Sequence, residues 1–168
     1  MKTLPLNLIL LFLLSSILFS CSSEDDGIFF EESNEIVNTD NVSYSVMETE
    51  ILNLVNEHRN SIGLSSLNTL NIISGVADGH TNYMIKVGAV NHDNFPQRSQ
   101  TLMDNANAKS VGENVAYGFN SAQGVVNGWL NSEEHKKIIE NPNYTHFGIS
   151  TDSNSANRNY FTQIFIKR

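Results

Sequence analysis

The chain has 168 residues, a formal net charge of −8, five histidines and a single cysteine. One cysteine cannot close an internal disulfide, and an excess of acid with no basic patch excludes a nucleic-acid-binding surface. A chain of this length holds one domain with extras at an end.

The first twenty residues read as a leader and not as part of the fold. Lys2 supplies a positive start, and Leu8 to Phe19 is an apolar run broken only by Ser15 and Ser16. Spanning a bilayer takes about twenty apolar residues, so residues 1–20 fit a signal peptide better than an anchor helix. The run ends "LFSC", where Leu18, the small Ser20 and Cys21 resemble the lipobox of bacterial lipoproteins, with Phe19 bulkier than the usual residue there. That resemblance implies that Cys21 becomes the first residue of the mature protein, carries acyl chains and holds the chain to a membrane. The alternative is an incidental cysteine with ordinary cleavage after Ser22.

Residues 22–46 carry seven acids and no Lys or Arg. Such a segment buries too little to offset its chain entropy, so residues 21–46 are expected to be a disordered tether. An acidic run just after the cysteine is similar to the signal that sends some Gram-negative lipoproteins to the outer face of the outer membrane. A plain solvated linker is the alternative. Residues 47–168 keep eleven acids and nine bases. About 120 residues can bury one core without disulfide help.

Within 47–168 the apolar spacing predicts three main helices. Ile51, Leu52, Val55, Arg59 and Ile62 mark one helical face, closed by Gly63. A second helix is predicted from about Thr69 to Val87, with a stripe of Ile73, Ala77, His80, Met84 and Val87, and Gly88 ends it. "NHDNFPQR" is a loop in which Pro96 is poised to start a short helix through Met103. "VGENVAYG" reads as a short extended piece whose Gly112 lets the backbone bend before Glu113. Ala122, Val125, Val126, Trp129 and Leu130 make the third amphipathic helix, and Ser132 is placed to cap a further turn or two ending at Asn141-Pro142.

Two strands close the chain, "THFGIST" and "YFTQIFIK", with the polar turn "DSNSANRN" between them. The last shows Tyr160, Ile164 and Ile166 on one face and Phe161 and Phe165 on the other, so it needs cover on both sides. The predicted class is α+β, a small antiparallel sheet between helical layers.

Few groups could carry chemistry. His58, His80 and His146 fit packed or surface positions. His92 follows the helix-ending glycine and sits in a loop, where functional side chains concentrate. His135 stands third after Ser132, near the positive end of a helix dipole that favours the neutral, metal-binding imidazole. Neutral histidine with a carboxylate such as Glu113 is the donor set of an open Zn²⁺ site. No standard metal spacing links the three residues. HExxH, GxSxG and a phosphate-cradling GxxxxGK are absent, and the sole cysteine lies beside the leader.

The motifs occur in a familiar order. "NEHRNSIGLSSL", "HTNYMIKVGAVNHDNFPQR", "GENVAYG", "VVNGWLNSEEHKKIIENPNYTHFGIS" and "NYFTQIF" resemble, in order and spacing, those of the CAP superfamily (cysteine-rich secretory proteins, antigen 5 and pathogenesis-related 1), also called the SCP domain. The resemblance covers Met47 to the end and is closest to the bacterial form. It implies an α–β–α sandwich with an open cleft, lined in animal and plant members by two histidines and two glutamates that in some bind Zn²⁺ or another divalent cation.

Carried over by position, His92 is the loop histidine and Glu113 the glutamate of the GEN motif. The second glutamate position holds Ser132 and the second histidine position holds Tyr160. The bacterial form offers His135 instead. Three metal ligands are thus expected, His92, Glu113 and His135, with Ser132, Glu133, Glu134, Tyr160 and Asn114 as cleft-lining candidates. The expected protein is a surface or outer-membrane lipoprotein, or alternatively a periplasmic or secreted one. It would bind a divalent metal, a lipid or a protein partner without catalysis. A metal-dependent hydrolase or peptidase and a purely structural polar cluster are the alternatives.

Overall fold

The computed structural model describes residues 42–168. The leader, the acylation candidate Cys21 and the tether as far as residue 41 lie outside the described residues. The end of the tether segment belongs to the domain. Tyr44 shares a 2.9 Å hydrogen bond with Ser74, and Ser45 caps the first helix.

Helix α1 spans Val46–Ser61 and opens with a capping box. Ser45 Oγ accepts the Glu48 amide at 3.2 Å, and Glu48 Oε2 accepts the Ser45 amide at 2.8 Å, which satisfies two donors the helix itself leaves unpaired. Ile51, Leu52, Val55 and Arg59 are its buried stripe, while Ile62 lies past the helix end and is exposed.

Strand β1, Asn68–Thr69, has no counterpart among the predicted elements. The Asn68 and Leu70 amides bond the Thr145 and Phe147 carbonyls at 3.0 and 3.3 Å, so the chain stays extended and helix α2 starts at Asn71, not Thr69. It runs to Val87 and stops at Gly88, whose φ of 70° is the left-handed cap that favours glycine. Helix α3, Phe95–Ala106, outlasts its expected end at Met103 because Leu102 and Ala106, four apart, both bury against the α2 layer. Strand β2 is Ser110–Tyr117. Helix α4 is Ala122–Leu130 and the short α5 is Glu133–Ile139. Strands β3, His146–Ser153, and β4, Asn159–Lys167, form the closing hairpin.

The four strands lie in the order β1-β3-β4-β2. Three pair antiparallel and β1 pairs parallel with β3, so the sheet is mixed and not the purely antiparallel one expected. A parallel pair of two residues leaves no periodic mark in the sequence, hence the difference. Central β4 is covered on both faces as its pattern requires. Phe161 and Phe165 enter the core shared with α1, α4 and α5, where Trp129 also sits. Ile164 and Ile166 enter the core shared with α2 and α3. Full burial of each such side chain is worth about 1.5–3 kcal/mol. Trp129 Nε1 donates to the Val115 carbonyl at 3.1 Å, fastening α4 to β2. The architecture is α+β, three layers with the sheet in the middle.

Candidate functional site

Strand alternation decides where Glu113 points. Val111 and Val115, two residues to either side, pack with the α2–α3 layer, so Glu113 faces that layer and Asn114 faces the opposite one. Its side chain is 1% exposed. A carboxylate that deep is tolerated only where charge and hydrogen bonds meet it.

Three elements supply them. Arg98, in the first turns of α3, donates Nε to Oε2 and Nη2 to Oε1, each at 2.8 Å. His92, in the α2–α3 loop, places Nδ1 2.8 Å from Oε1. His80 on α2 brings Nε2 to 3.9 Å from the same oxygen while bonding the Asn91 carbonyl at 2.9 Å. The guanidinium is fixed further: Nη1 donates to the Asp93 carbonyl at 2.5 Å, and its carbon lies 5.9 Å from the Phe95 ring centroid.

The chemistry of each group follows. A carboxylate accepts only, so His92 donates through Nδ1 and a neutral ring keeps its lone pair on Nε2. That ring is 51% exposed. Burial alone would raise the Glu113 carboxyl. The hydrogen bonds from His92 and Arg98, and the Arg98 charge, outweigh it and hold the group below the ordinary carboxylate value. Burial, with the Arg98 and His92 charges, holds His80 below its ordinary value against the opposing pull of Asn91 and Glu113. His80 is thus a neutral wall, packed as expected and stacked on Tyr83 at 5.9 Å.

His135 is held differently. Its backbone carbonyl accepts Asn114 Nδ2 at 3.2 Å, so α5 is tied to the face of β2 that Glu113 does not use. Its Nδ1 is buried without a protein partner, and burial and then the His92 charge lower its pKa.

Glu133 and Glu134 are exposed, and Glu134 pairs with Lys137 at 2.9 Å on the helix surface. Ser132 caps α5 by position, without a side-chain hydrogen bond. Tyr160 is buried with Met84 and Val115, and its ring lies tilted against Tyr117 with centroids 4.6 Å apart. Asn114 is fully buried, and its Oδ1 has no protein partner.

The donor set tests poorly against a divalent cation. Both Glu113 oxygens already face the Arg98 fork, so a metal on either would sit against a guanidinium. Among the described residues no group of three or more His, Cys, Asp or Glu is placed to hold a metal ion. Sequence reasoning missed Arg98. The available signal was a lone base in "NFPQR", one turn into a helix that begins just past His92.

A polar cavity of about 240 Å³ lies elsewhere, beside Tyr44, Glu48, Ser74, Asp78 and Ser150. Its carboxylates are committed to the fold. Glu48 Oε1 accepts the Thr151 amide at 2.8 Å and Asp78 Oδ1 accepts from Ser150 at 3.2 Å, closing the outer edge of β3. At Glu113, by contrast, an exposed imidazole meets a buried carboxylate.

Comparison with known proteins points the same way for the fold. A family profile described as "CAP: Cysteine-rich secretory protein family" matches residues 52–165. The uncharacterized membrane protein YlbC of Bacillus subtilis is 36% identical over 126 residues, 72% of this chain. The match covers only 34% of YlbC, so this chain spans about a third of that relative. Among solved structures, an outer surface protein from Borrelia burgdorferi aligns with a TM-score of 0.65 at 24% identity, over 71% of this chain and 91% of that one. An extracellular protein containing an SCP domain from Bacillus anthracis aligns with a TM-score of 0.63 at 26% identity, over 72% of this chain and 40% of that one.

Proposed function

The chain belongs to the cysteine-rich secretory protein (CAP) family, and from that premise we propose that it is a lipid-tethered binding module of the cell surface or outer membrane and not an enzyme. The observation that carries this is the state of Glu113. A general base works best with a pKa near the operating pH, whereas this carboxylate is held below its ordinary value and both oxygens are taken. The one cysteine, Cys21, is assigned to the anchor. The ligand, a lipid or a protein surface, meets the exposed His92 imidazole. The outside location is supported by the extracellular SCP-domain protein of Bacillus anthracis, and membrane association by the name of the Bacillus subtilis relative.

The test has two arms. Full-length protein made in a bacterial host should partition into detergent, and Cys21→Ala should move it to the aqueous phase; equal partition would remove the tether. A peptide-library screen of the full-length protein should show no turnover. Turnover abolished by Glu113→Gln would overturn the binding reading.

One feature favours hydrolysis as a second reading. The Glu113–His92 contact turns His92 Nε2 outward, as a carboxylate orients a catalytic base. In that case His92→Ala abolishes any turnover found.

A further inference from the structure

We propose that Arg98 is the resident cation of the His92–Glu113 site, occupying the side of the carboxylate that a divalent metal would need, so that the site works without metal. A buried carboxylate beside imidazoles is by itself a donor set for Zn²⁺. Here the position is filled. The two Arg98 nitrogens that point at Glu113 match its two oxygens one to one at 2.8 Å, the bidentate pairing that a planar guanidinium makes best. The third nitrogen is anchored on the Asp93 carbonyl at 2.5 Å and the plane lies over Phe95. Arg98 is 11% exposed, so this is a built wall of the site and not a surface side chain passing by.

Exclusion follows from charge and distance. A bound Zn²⁺ sits about 2.0–2.2 Å from a carboxylate oxygen. Both oxygens here lie 2.8 Å from a nitrogen of a cationic guanidinium. Two cations on one carboxylate repel each other, so metal binding is disfavoured for as long as Arg98 stays seated. Arg98 is then the residue that sets the metal preference of the site, and its loss leaves the Glu113 carboxylate and the His92 imidazole open to a metal ion.

The experiment compares Zn²⁺ uptake by the full-length chain in detergent, with His92→Ala as the reference in each background. Equilibrium dialysis and elemental analysis should give wild type and His92→Ala the same zinc content. Arg98→Gln should gain about one Zn²⁺ per chain, lost again in the Arg98→Gln, His92→Ala double variant. Arg98→Lys, which keeps the charge, should gain none. Zinc held by wild type and lost in His92→Ala overturns the proposal, as does a folded Arg98→Gln that gains none. Should Arg98→Gln not fold, the wild type decides: a Tm that Zn²⁺ raises through His92 contradicts the proposal, and an unmoved Tm supports it. A metal on the wild type would leave the binding-module reading standing, so the two fail separately.

Discussion

Arg98 and Glu113 meet fork to fork, with two nitrogens on two oxygens at 2.8 Å, across the gap between the first turns of α3 and the middle of β2. That pair explains why a charge sits in a strand whose other buried residues are uncharged. It also joins the α2–α3 connection to the sheet, because His92 bonds the same carboxylate from the loop.

Removing one partner strands the other. Arg98→Ala leaves Glu113 charged and buried, and should lower stability by about 3 kcal/mol in urea denaturation. The double variant Arg98→Met, Glu113→Leu should lose clearly less than the sum of its parts, since neither charge is then orphaned. Additive losses would show that the pair is not coupled.

Acid should weaken the fold in two stages. His80 and His135 are held below their ordinary value of 6.5, by burial first and then by neighbouring positive charge. As pH falls through about 6.5, the unfolded chain takes up protons on these rings before the folded one does, so stability declines from there downward. Glu113 is depressed, so its contribution is complete above its ordinary value of 4.5 and is lost only as pH falls through its lower folded value. Tm measured from pH 8 to pH 3 should follow that order. A Tm that climbs between pH 7 and pH 5 would contradict it.

Two glycines should resist even alanine. A Cβ on Gly148 would come 2.5 Å from the Ser74 backbone nitrogen, where β3 crosses the start of α2. A Cβ on Gly112 would collide with the Tyr144 hydroxyl and approach Ile138 at 3.2 Å. Gly148→Ala meets backbone and should fail to give soluble folded protein, whereas Gly112→Ala meets a side-chain tip and should fold with a lowered Tm. Equal wild-type Tm for both would refute the packing described.

Arg59 is buried at 1% exposure at the end of α1. It donates to the carbonyls of Ser65 at 3.0 Å, Ile139 at 2.6 Å and Asn141 at 3.0 Å, clamping the end of α5 to α1. Arg59→Met should cost about 3 kcal/mol in urea denaturation, because those carbonyls lose their donors. Arg59→Lys should recover little, having no fork.

The legible elements are those with a repeating pattern. The α1 and α4 stripes, the glycine stop of α2 and the two-sided apolar pattern of β4 follow from spacing alone. Contacts between distant segments are less accessible. β1 is two residues long and exists only because β3 lies beside it. Gly112 reads as a place to bend, yet its φ is not in the left-handed region; the residue is small because Tyr144 lies over it. His92 and Glu113 are indeed in contact, but Arg98 stands in a stretch that reads as a loop and carries no periodic mark. The tie between Asn114 and the His135 backbone carbonyl likewise joins segments twenty-one residues apart and carries no mark in the sequence.

Glu113 is a closed, charge-compensated hub. A crystal structure of the protein grown with and without Zn²⁺ tests this most directly. Arg98 should be forked on Glu113 at about 2.8 Å in both crystals. An ion about 2.0–2.2 Å from Glu113 and His92, with Arg98 swung away, would contradict it.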